Sequence, residues 1–313
     1  MKNYLIAGGA GFIGSNLAER LINNGDHVTI IDDLSTGTLN NLRKIRSNIE
    51  FIEKDICDTC DLNGFDAIYH LACIANPSDY THKPLETLSS GSFGTDNLLK
   101  IAKRSGAKFY YFSSSEIYGH HELKDGSISE SSVSKIKILH SRSPYYICKM
   151  FSEEYVKAYS EKNDIEYLII RPFNIYGNNM DSKSQYGRVI TNFIKWSVND
   201  EPVCINGNGN QIRSFCHVND LIDALITLDK LPQFKNNVIN IGNPQPIKII
   251  DLAKLILHIT NSSSKIVFKD EIEYEPAFRN PDISLIKEWI GWNPQIMLNA
   301  GLEDLINQNK NGD

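Results

Sequence analysis

Tyr4-Leu5-Ile6-Ala7-Gly8-Gly9-Ala10-Gly11-Phe12-Ile13-Gly14 is the stretch on which the fold turns. Tyr4–Ala7 is a short apolar run of strand length, and a helical pattern follows over Ile13–Asn24. Strand, glycine loop and helix in that order open a βαβ unit. Gly8 permits the tight turn, Gly11 lets backbone approach a pyrophosphate, and Gly14 lets helix pack closely on strand. The unpaired N–H groups of the first helical turn then face the phosphates at the positive end of the helix dipole. Asp32 ends the next strand, His27–Asp32, eighteen residues after Gly14. A carboxylate there accepts from both ribose hydroxyls of an adenosine and repels a 2′-phosphate, so NAD is expected rather than NADP.

Outward from that loop, short apolar runs alternate with amphipathic stretches. Further strands are expected at Ile49–Glu53, Ala67–Leu71, Lys108–Ser113 and Glu166–Arg171, and helices at Leu85–Arg104 and Tyr145–Glu161. After Gly177 the order is less regular, with helices at Arg188–Val198 and Asn219–Leu228 and strands at Pro202–Ile205, Val238–Ile241 and Lys265–Phe268. The expected fold class is α/β, a Rossmann-type doubly wound parallel sheet with a smaller C-terminal substrate-binding lobe. Residues 1–177, joined by about 211–242, form the NAD-binding domain in this reading; 178–210 and 243–313 form the lobe.

Composition excludes several classes. The chain has 313 residues, 41% hydrophobic and 22% charged, with a formal charge of −6, which disfavours a nucleic-acid partner. No apolar run approaches the roughly 20 residues of a membrane span, and the N-terminal apolar run, ended by Gly8, does not read as a signal peptide. Six sparse cysteines fit a reducing cytoplasm better than a disulfide framework. Cys57-Asp58-Thr59-Cys60 has metal spacing but no second pair or nearby histidines, so no metal is expected.

Tyr145 and Lys149 are four apart at the start of a helix and share a face. An ammonium beside a phenol favours phenolate, lowering its pKa from about 10 toward neutrality. Such a phenolate can take the proton of a substrate hydroxyl while the carbon's hydride leaves for nicotinamide. Thirty-one residues before Tyr145, Ser114 lies in Ser113-Ser114-Ser115-Glu116-Ile117-Tyr118-Gly119, at the end of a predicted strand. A hydroxyl there can hydrogen-bond the reacting oxygen, and a carboxylate can do proton chemistry on the adjacent carbon. Ser114, Ser115, Glu116, Tyr145 and Lys149 are the candidate catalytic residues.

With these features the chain resembles the extended short-chain dehydrogenases/reductases that act on nucleotide-sugars, over nearly its whole length. The marks are Gly8–Gly14, Asp32-Asp33-Leu34-Ser35-Thr36-Gly37, His70-Leu71-Ala72, Ser114, Tyr145/Lys149, Arg171-Pro172-Phe173-Asn174-Ile175-Tyr176-Gly177, Arg213-Ser214-Phe215 and Gly291-Trp292-Asn293-Pro294. The resemblance implies that Gly8, Gly11, Phe12, Ile13, Gly14, Asp32, Asp33, Ser35, Thr36 and Gly37 hold the cofactor, with Asp55 and Ile56 near adenine and Leu71, Ala72, Tyr145 and Lys149 also at the cofactor. It implies that Asn174, Arg188, Arg213 and Arg279 bind the nucleotide diphosphate or sugar, a task that suits the arginine fork. It also implies a homodimer, or a higher homo-oligomer, formed through the Leu85–Arg104 and Tyr145–Glu161 helices. One departure stands out. Family members commonly carry Asn-x-x-Gly-Thr in the long helix, and here the segment is Gly91-Ser92-Phe93-Gly94-Thr95.

Members of this group share oxidation at sugar C4 and then diverge. Ser115-Glu116 resembles the pair of decarboxylases and dehydratases, where many epimerases have small neutral residues. Gln185–Phe193 and Phe278-Arg279-Asn280-Pro281-Asp282-Ile283 look most like UDP-glucuronate decarboxylases, in which the arginine matching Arg279 meets the sugar carboxylate. Ser141-Arg142-Ser143-Pro144 instead resembles generic epimerases. The expected function is therefore C4 oxidation of a nucleotide-sugar followed by decarboxylation. The alternatives are a 4-dehydrogenase, a 4,6-dehydratase, a 4-epimerase and, outside enzymes, a dinucleotide-binding redox sensor.

Overall fold

The structure, a computed structural model, describes residues 1–122, 126–180, 189–231, 236–271 and 276–310, with residues 309 and 310 in backbone only. Along the chain come β1 (Asn3–Ala7), α1 (Phe12–Asn23), β2 (His27–Asp32), β3 (Ile49–Glu53), β4 (Ala67–His70), α2 (Pro77–His82), α3 (Pro84–Ser89), α4 (Thr95–Ser105), β5 (Lys108–Phe112), α5 (Ser143–Asn163) and β6 (Tyr167–Pro172). They are followed by β7 (Ile175–Tyr176), α6 (Val189–Val198), β8 (Val203–Asn206), β9 (Ile212–Ser214), β10 (Cys216–His217), α7 (Val218–Asp229), β11 (Asn237–Ile241) and β12 (Pro246–Lys248). The described chain closes with α8 (Ile249–Thr260), β13 (Ile266–Lys269), β14 (Phe278–Arg279), α9 (Ser284–Ile290) and α10 (Leu298–Lys310).

Seven strands form one sheet in the order β11-β6-β5-β4-β1-β2-β3. The β1–β2, β2–β3, β1–β4, β4–β5 and β5–β6 pairs all run parallel. Strand order reverses between β1 and β4, the switch point outside which such sheets bind ligands. This is the doubly wound α/β sheet expected from the alternation of apolar runs. β1, β4 and β5 are almost wholly buried because helices cover both faces of a parallel sheet.

Helix α5 starts where Pro144 sits in its first turn, a position that needs no N–H donor, and stops at Asp164 in the left-handed region. The continuous helix expected over Leu85–Arg104 is instead α3, a π-helical turn at Ser90–Gly94, and α4. The widened turn coincides with Gly91 and Gly94, both buried, and each has another segment's side chain pressed against it.

By contact density the chain comprises two units. The first contains Met1–Ile117, Ile138–Arg171 and Leu225–Ile239; the second contains Tyr118–Lys137, Pro172–Ala224 and Asn240–Asp313. Residues 118–137, 172–177, 211–224 and 240–242 fall in the second unit, whereas the sequence groups them with the cofactor half. The first unit's core holds Leu5, Ile68, Leu98, Leu99, Phe109 and Tyr111 beneath the sheet helices. The second has its own core, with Phe193, Val203, Phe215, Leu252, Ile256 and Leu302 fully or almost fully buried.

Candidate active site

In the first unit the glycine loop leaves β1 with Gly8 at φ +82°, a backbone state open to glycine and costly for other residues. A Cβ on Gly8 would lie 2.6 Å from the amide nitrogen of Ala72, so the loop sits directly against the Leu71-Ala72 segment. A Cβ on Gly14 would lie 2.8 Å from Gly9 Cα, which makes Gly14 the point where α1 meets the loop. Gly11 caps α1 in an extended conformation with no side-chain cap, leaving the first-turn amides open to an acceptor. Phe12 and Ile13 form that first turn, half-buried.

Asp32 is buried at the end of β2. Its Oδ2 accepts from Ala10 N and its Oδ1 from Leu34 N, both at 2.9 Å. A carboxylate oxygen accepts two hydrogen bonds, so each retains one site. Burial pushes the Asp32 carboxyl up against the pull of these two amides. Asp33 Oδ1 accepts from Ser35 N and Oγ, folding the following turn, in which Ser35 and Thr36 are exposed. Gly37 is there for space, since a Cβ on it would meet Asp32 Oδ1 at 2.9 Å. Exposed Asp55 caps its own turn through Cys57 N, and Ile56 is buried under Gly94.

Strand β5 delivers Ser114 and Ser115, both buried, beside α5. The Ser114 hydroxyl is a hydrogen-bond partner of the buried Tyr145 phenol, and its oxygen accepts from Glu116 N at 3.1 Å. Lys149 is buried, donates to Phe112 O at 2.7 Å, and lies 5.8 Å from the Tyr145 ring centroid. The expectation that Lys149 makes this phenol acidic needs correction. Burial pushes the Tyr145 phenol well above its ordinary value, against the pull of the Ser114 hydrogen bond. Burial, with Lys149 adding to it, also holds the neighbouring His70 ring down at about 3, so it is neutral.

Several residues around Tyr145 were not singled out in the sequence. Tyr80 stacks on Tyr145 with centroids 5.0 Å apart and planes at 10°. Arg142 donates from Nε to Tyr80 Oη at 3.2 Å and lies 3.8 Å from Glu116. Arg142 precedes Tyr145 by one helical turn, and that spacing was a usable signal. Cys148, also one turn from Tyr145, brings its sulfur to 4.0 Å from that of Cys73.

Cys148 also accounts for the departure at Gly91. A Cβ on Gly91 would collide with Cys148 Sγ and lie 2.9 Å from Ser152 Oγ. Ser152 Oγ makes 2.7 Å bonds to the carbonyls of both Gly91 and Cys148. The space that an amide side chain at position 91 would need is therefore filled from α5.

In the second unit, Arg213 on β9 and Arg279 on β14 are Cα partners in adjacent parallel strands, and both are buried. Two guanidinium groups carried side by side form a setting that favours a multivalent anion. Asn174, at φ +39°, donates to Ser214 O at 2.9 Å and so ties its turn to β9. Arg188, and with it Gln185–Gly187 of the motif around it, lies outside the described residues. Asp220 accepts from Gln295 N and Ile296 N, and Trp292 Nε1 donates to Asp220 O, which fixes the Gly291–Pro294 segment onto α7. Among the described residues, no group of three or more His, Cys, Asp or Glu could hold a metal ion. All six cysteines are free, and no described helix is long and apolar enough to cross a membrane.

A glycine loop at the switch point of a parallel sheet, with serine, tyrosine and lysine gathered beyond the strand ends, defines a dinucleotide-binding α/β protein. Residues 4–242 match the NAD dependent epimerase/dehydratase family, and the chain belongs to that family. It is similar to UDP-glucuronic acid decarboxylase 1 of Arabidopsis thaliana, with 36% identity over 98% of this chain and 69% of the relative. The same-named protein of Xenopus tropicalis is 35% identical, over 97% of this chain and 71% of its own. Among solved structures, UDP-glucose 4-epimerase of Thermotoga maritima with UDP-glucose superimposes with a TM-score of 0.90 at 28% identity, over 99% of both chains. UDP-glucuronic acid 4-epimerase of Bacillus cereus, bound to UDP-glucuronic acid and NAD, gives 0.89 at 27%, over 99% of this chain and all of the other.

Proposed function

We propose that the protein uses NAD to oxidise the C4 hydroxyl of UDP-glucuronate and then releases the C6 carboxylate of the 4-keto sugar as carbon dioxide. The observation that carries this reading is Glu116, held 3.8 Å from Arg142 at the strand end that also bears Ser114, the partner of Tyr145. C4 oxidation alone needs no carboxylate there, whereas protonation at C5 after loss of carbon dioxide does need a proton-handling group. The relatives named decarboxylase, matched over almost the whole chain, support the same choice.

The residues fit NAD. Gly8 turns the loop with positive φ hard against Ala72, the first-turn amides of α1 have no side-chain cap, and Asp32 keeps an acceptor site on each oxygen for the adenosine ribose. When bound, NAD supplies the hydride acceptor. Gly8, Gly11, Phe12, Ile13 and Gly14 would hold its phosphates, and Asp32 with Asp33 and Ser35–Gly37 its adenosine ribose. Asp55 and Ile56 would border adenine, with Leu71 and Ala72 beside Gly8. Tyr145 takes the proton from the C4 oxygen, Ser114 hydrogen-bonds that oxygen, and Lys149 stabilises the phenolate once its ammonium faces a charge. The new ketone makes the C6 carboxylate a β-keto acid, which loses carbon dioxide readily, and Ser115 and Glu116 serve the proton transfer at C5. Arg213, Arg279 and Asn174 would hold the diphosphate and sugar carboxylate, with Arg188 in the same role.

The protein is further proposed to be cytoplasmic and a homodimer or higher homo-oligomer. Leu85 and Phe93 around α3, and Ile147 and Phe151 on α5, are large apolar side chains left exposed, 74, 67, 40 and 47% respectively, on the packed α3–α5 pair. Sedimentation as a monomer at micromolar concentration would remove the dimer.

The test is incubation with NAD and a panel of UDP-, GDP- and dTDP-sugars, with product mass and NADH absorbance followed together. Loss of carbon dioxide from UDP-glucuronate is expected. Loss of water, loss of two hydrogens with NADH build-up, or unchanged mass would assign dehydratase, dehydrogenase or epimerase instead. Epimerisation is the second reading, favoured by the likeness to the Bacillus cereus enzyme. Tyr145→Phe should abolish turnover and keep NAD binding; retained turnover would remove Tyr145 from the chemistry.

A further inference from the structure

Cys73 and Cys148 are not used by the chemistry above, yet they are the two sulfurs nearest to it. Cys73 follows Leu71-Ala72, the segment against which Gly8 packs, and Cys148 lies on α5 between Tyr145 and Lys149. Their Sγ atoms are 4.0 Å apart, about 2 Å more than a disulfide bond. Cys73 is partly exposed and Cys148 is buried. Cys73 is the less buried residue of the two and has its partner in reach, the arrangement of an attacking thiol and a resolving thiol. Hydrogen bonding from Cys148, together with the Lys149 ammonium and the Ser90 hydroxyl, lowers the Cys73 thiol against the effect of burial. Cys57 of the Cys57–Cys60 pair differs, since burial and Asp55 push its thiol up to about 12.

We propose that Cys73 and Cys148 form a reversible oxidation site, closed by hydrogen peroxide to an intrachain disulfide that ties the cofactor-loop side of the first unit to the helix carrying Tyr145 and Lys149. In the first step the Cys73 thiolate attacks a peroxide oxygen and the O–O bond breaks. Cys73 becomes a sulfenic acid, and the leaving hydroxide takes up the proton the thiol had released, forming water. In the second step the Cys148 thiol attacks that sulfur, the S–S bond forms and the S–O bond breaks, and the oxygen leaves as a second water with the thiol proton. The two thiols together lose two electrons and two protons, and one peroxide is reduced to two waters. Cys148 is boxed in by Gly91 and Ser152, so drawing its sulfur toward Cys73 moves the stretch of α5 between Tyr145 and Lys149. A misplacement of about 1 Å at such groups slows turnover by up to about 100-fold.

The experiment treats the purified protein with stoichiometric hydrogen peroxide, then blocks free thiols and maps peptides by mass. Expected is a cross-linked pair of peptides carrying Cys73 and Cys148, lighter by two hydrogens, formed before Cys57 or Cys60 reacts. Cys148→Ser should trap Cys73 as a sulfenic acid that dimedone captures, and Cys73→Ser should leave Cys148 unmodified. Free thiols at both positions, or equal dimedone labelling of Cys73 in the wild type and in Cys148→Ser, would overturn the site. Turnover on UDP-glucuronate should fall about tenfold or more on oxidation and return with dithiothreitol. A cross-linked protein with unchanged turnover would overturn the switch. Only this second readout rests on the proposed function: a reduced protein without turnover counts against that function, while the peptide map decides the disulfide independently.

Discussion

The sulfur of Cys148 occupies the space that a Cβ on Gly91 would claim. These residues lie on different helical segments and meet where the π-helical turn at Ser90–Gly94 packs on α5. By helix propensity alone, Gly91→Ala should stabilise by about 1 kcal/mol. Packing opposes this, since overfilling costs about 1–3 kcal/mol, and a net loss of up to about 2 kcal/mol is expected. Combining Gly91→Ala with Cys148→Ala should recover at least half of that loss, as a coupling measured by urea denaturation. Additive losses would mean that the two positions do not compete for one space.

Ser114 pulls the Tyr145 phenol down through a hydrogen bond while burial pushes it up. Removing it in Ser114→Ala should move the phenol further from neutrality. Because the phenolate accepts the proton, initial rates should climb with pH, and the climb should shift to higher pH in the variant, with a maximal rate about 100-fold lower. The check is kcat against pH under saturating substrate. An unshifted profile with only a lower plateau would assign Ser114 to substrate binding alone.

Asp229 accepts from Lys2 Nζ and Tyr4 Oη at 2.7 Å and from Tyr110 Oη at 2.8 Å. Burial raises its carboxyl, but these three donors outweigh burial and hold it below its usual range. A depressed folded-state pKa means the unfolded chain binds more protons in that window. The stabilisation is therefore complete above about pH 4 and is lost as pH falls through the folded value. Asp229→Asn should lower stability at pH 7 by about 2 kcal/mol and flatten the acid limb of Tm against pH. Parallel curves for the two proteins would refute the linkage.

Arg171 and Glu153 form a two-point pair, Nε to Oε1 at 2.9 Å and Nη2 to Oε2 at 2.6 Å, with side chains 13% and 9% exposed. Glu153→Gln removes a two-point carboxylate partner from a poorly solvated guanidinium and should cost about 3 kcal/mol. Replacing both, as Glu153→Leu with Arg171→Met, should restore most of that loss, because two desolvation penalties disappear together. Thermal unfolding of the three variants measures it. A double variant less stable than the single would show that the pair is worth more than apolar packing.

What the sequence determined by itself was whatever a few neighbouring residues can encode. Tyr4–Gly14 specified strand, loop and helix, Asp32 marked the end of β2, and the spacing of Tyr145 and Lys149 put both on one face of α5. These features depend on local periodicity and on backbone freedom at glycine, so they survive without knowledge of the rest of the chain. Tertiary structure alone decided the surroundings of Tyr145. It stacked Tyr80 on the ring, set Arg142 against Glu116, bonded Lys149 to the Phe112 carbonyl, and buried the phenol so that its pKa moved opposite to the expected direction. It also brought Cys73 and Cys148, 75 residues apart, to within 4.0 Å. Burial and long-range neighbours set those energies, and both arise only when the sheet brings distant segments side by side.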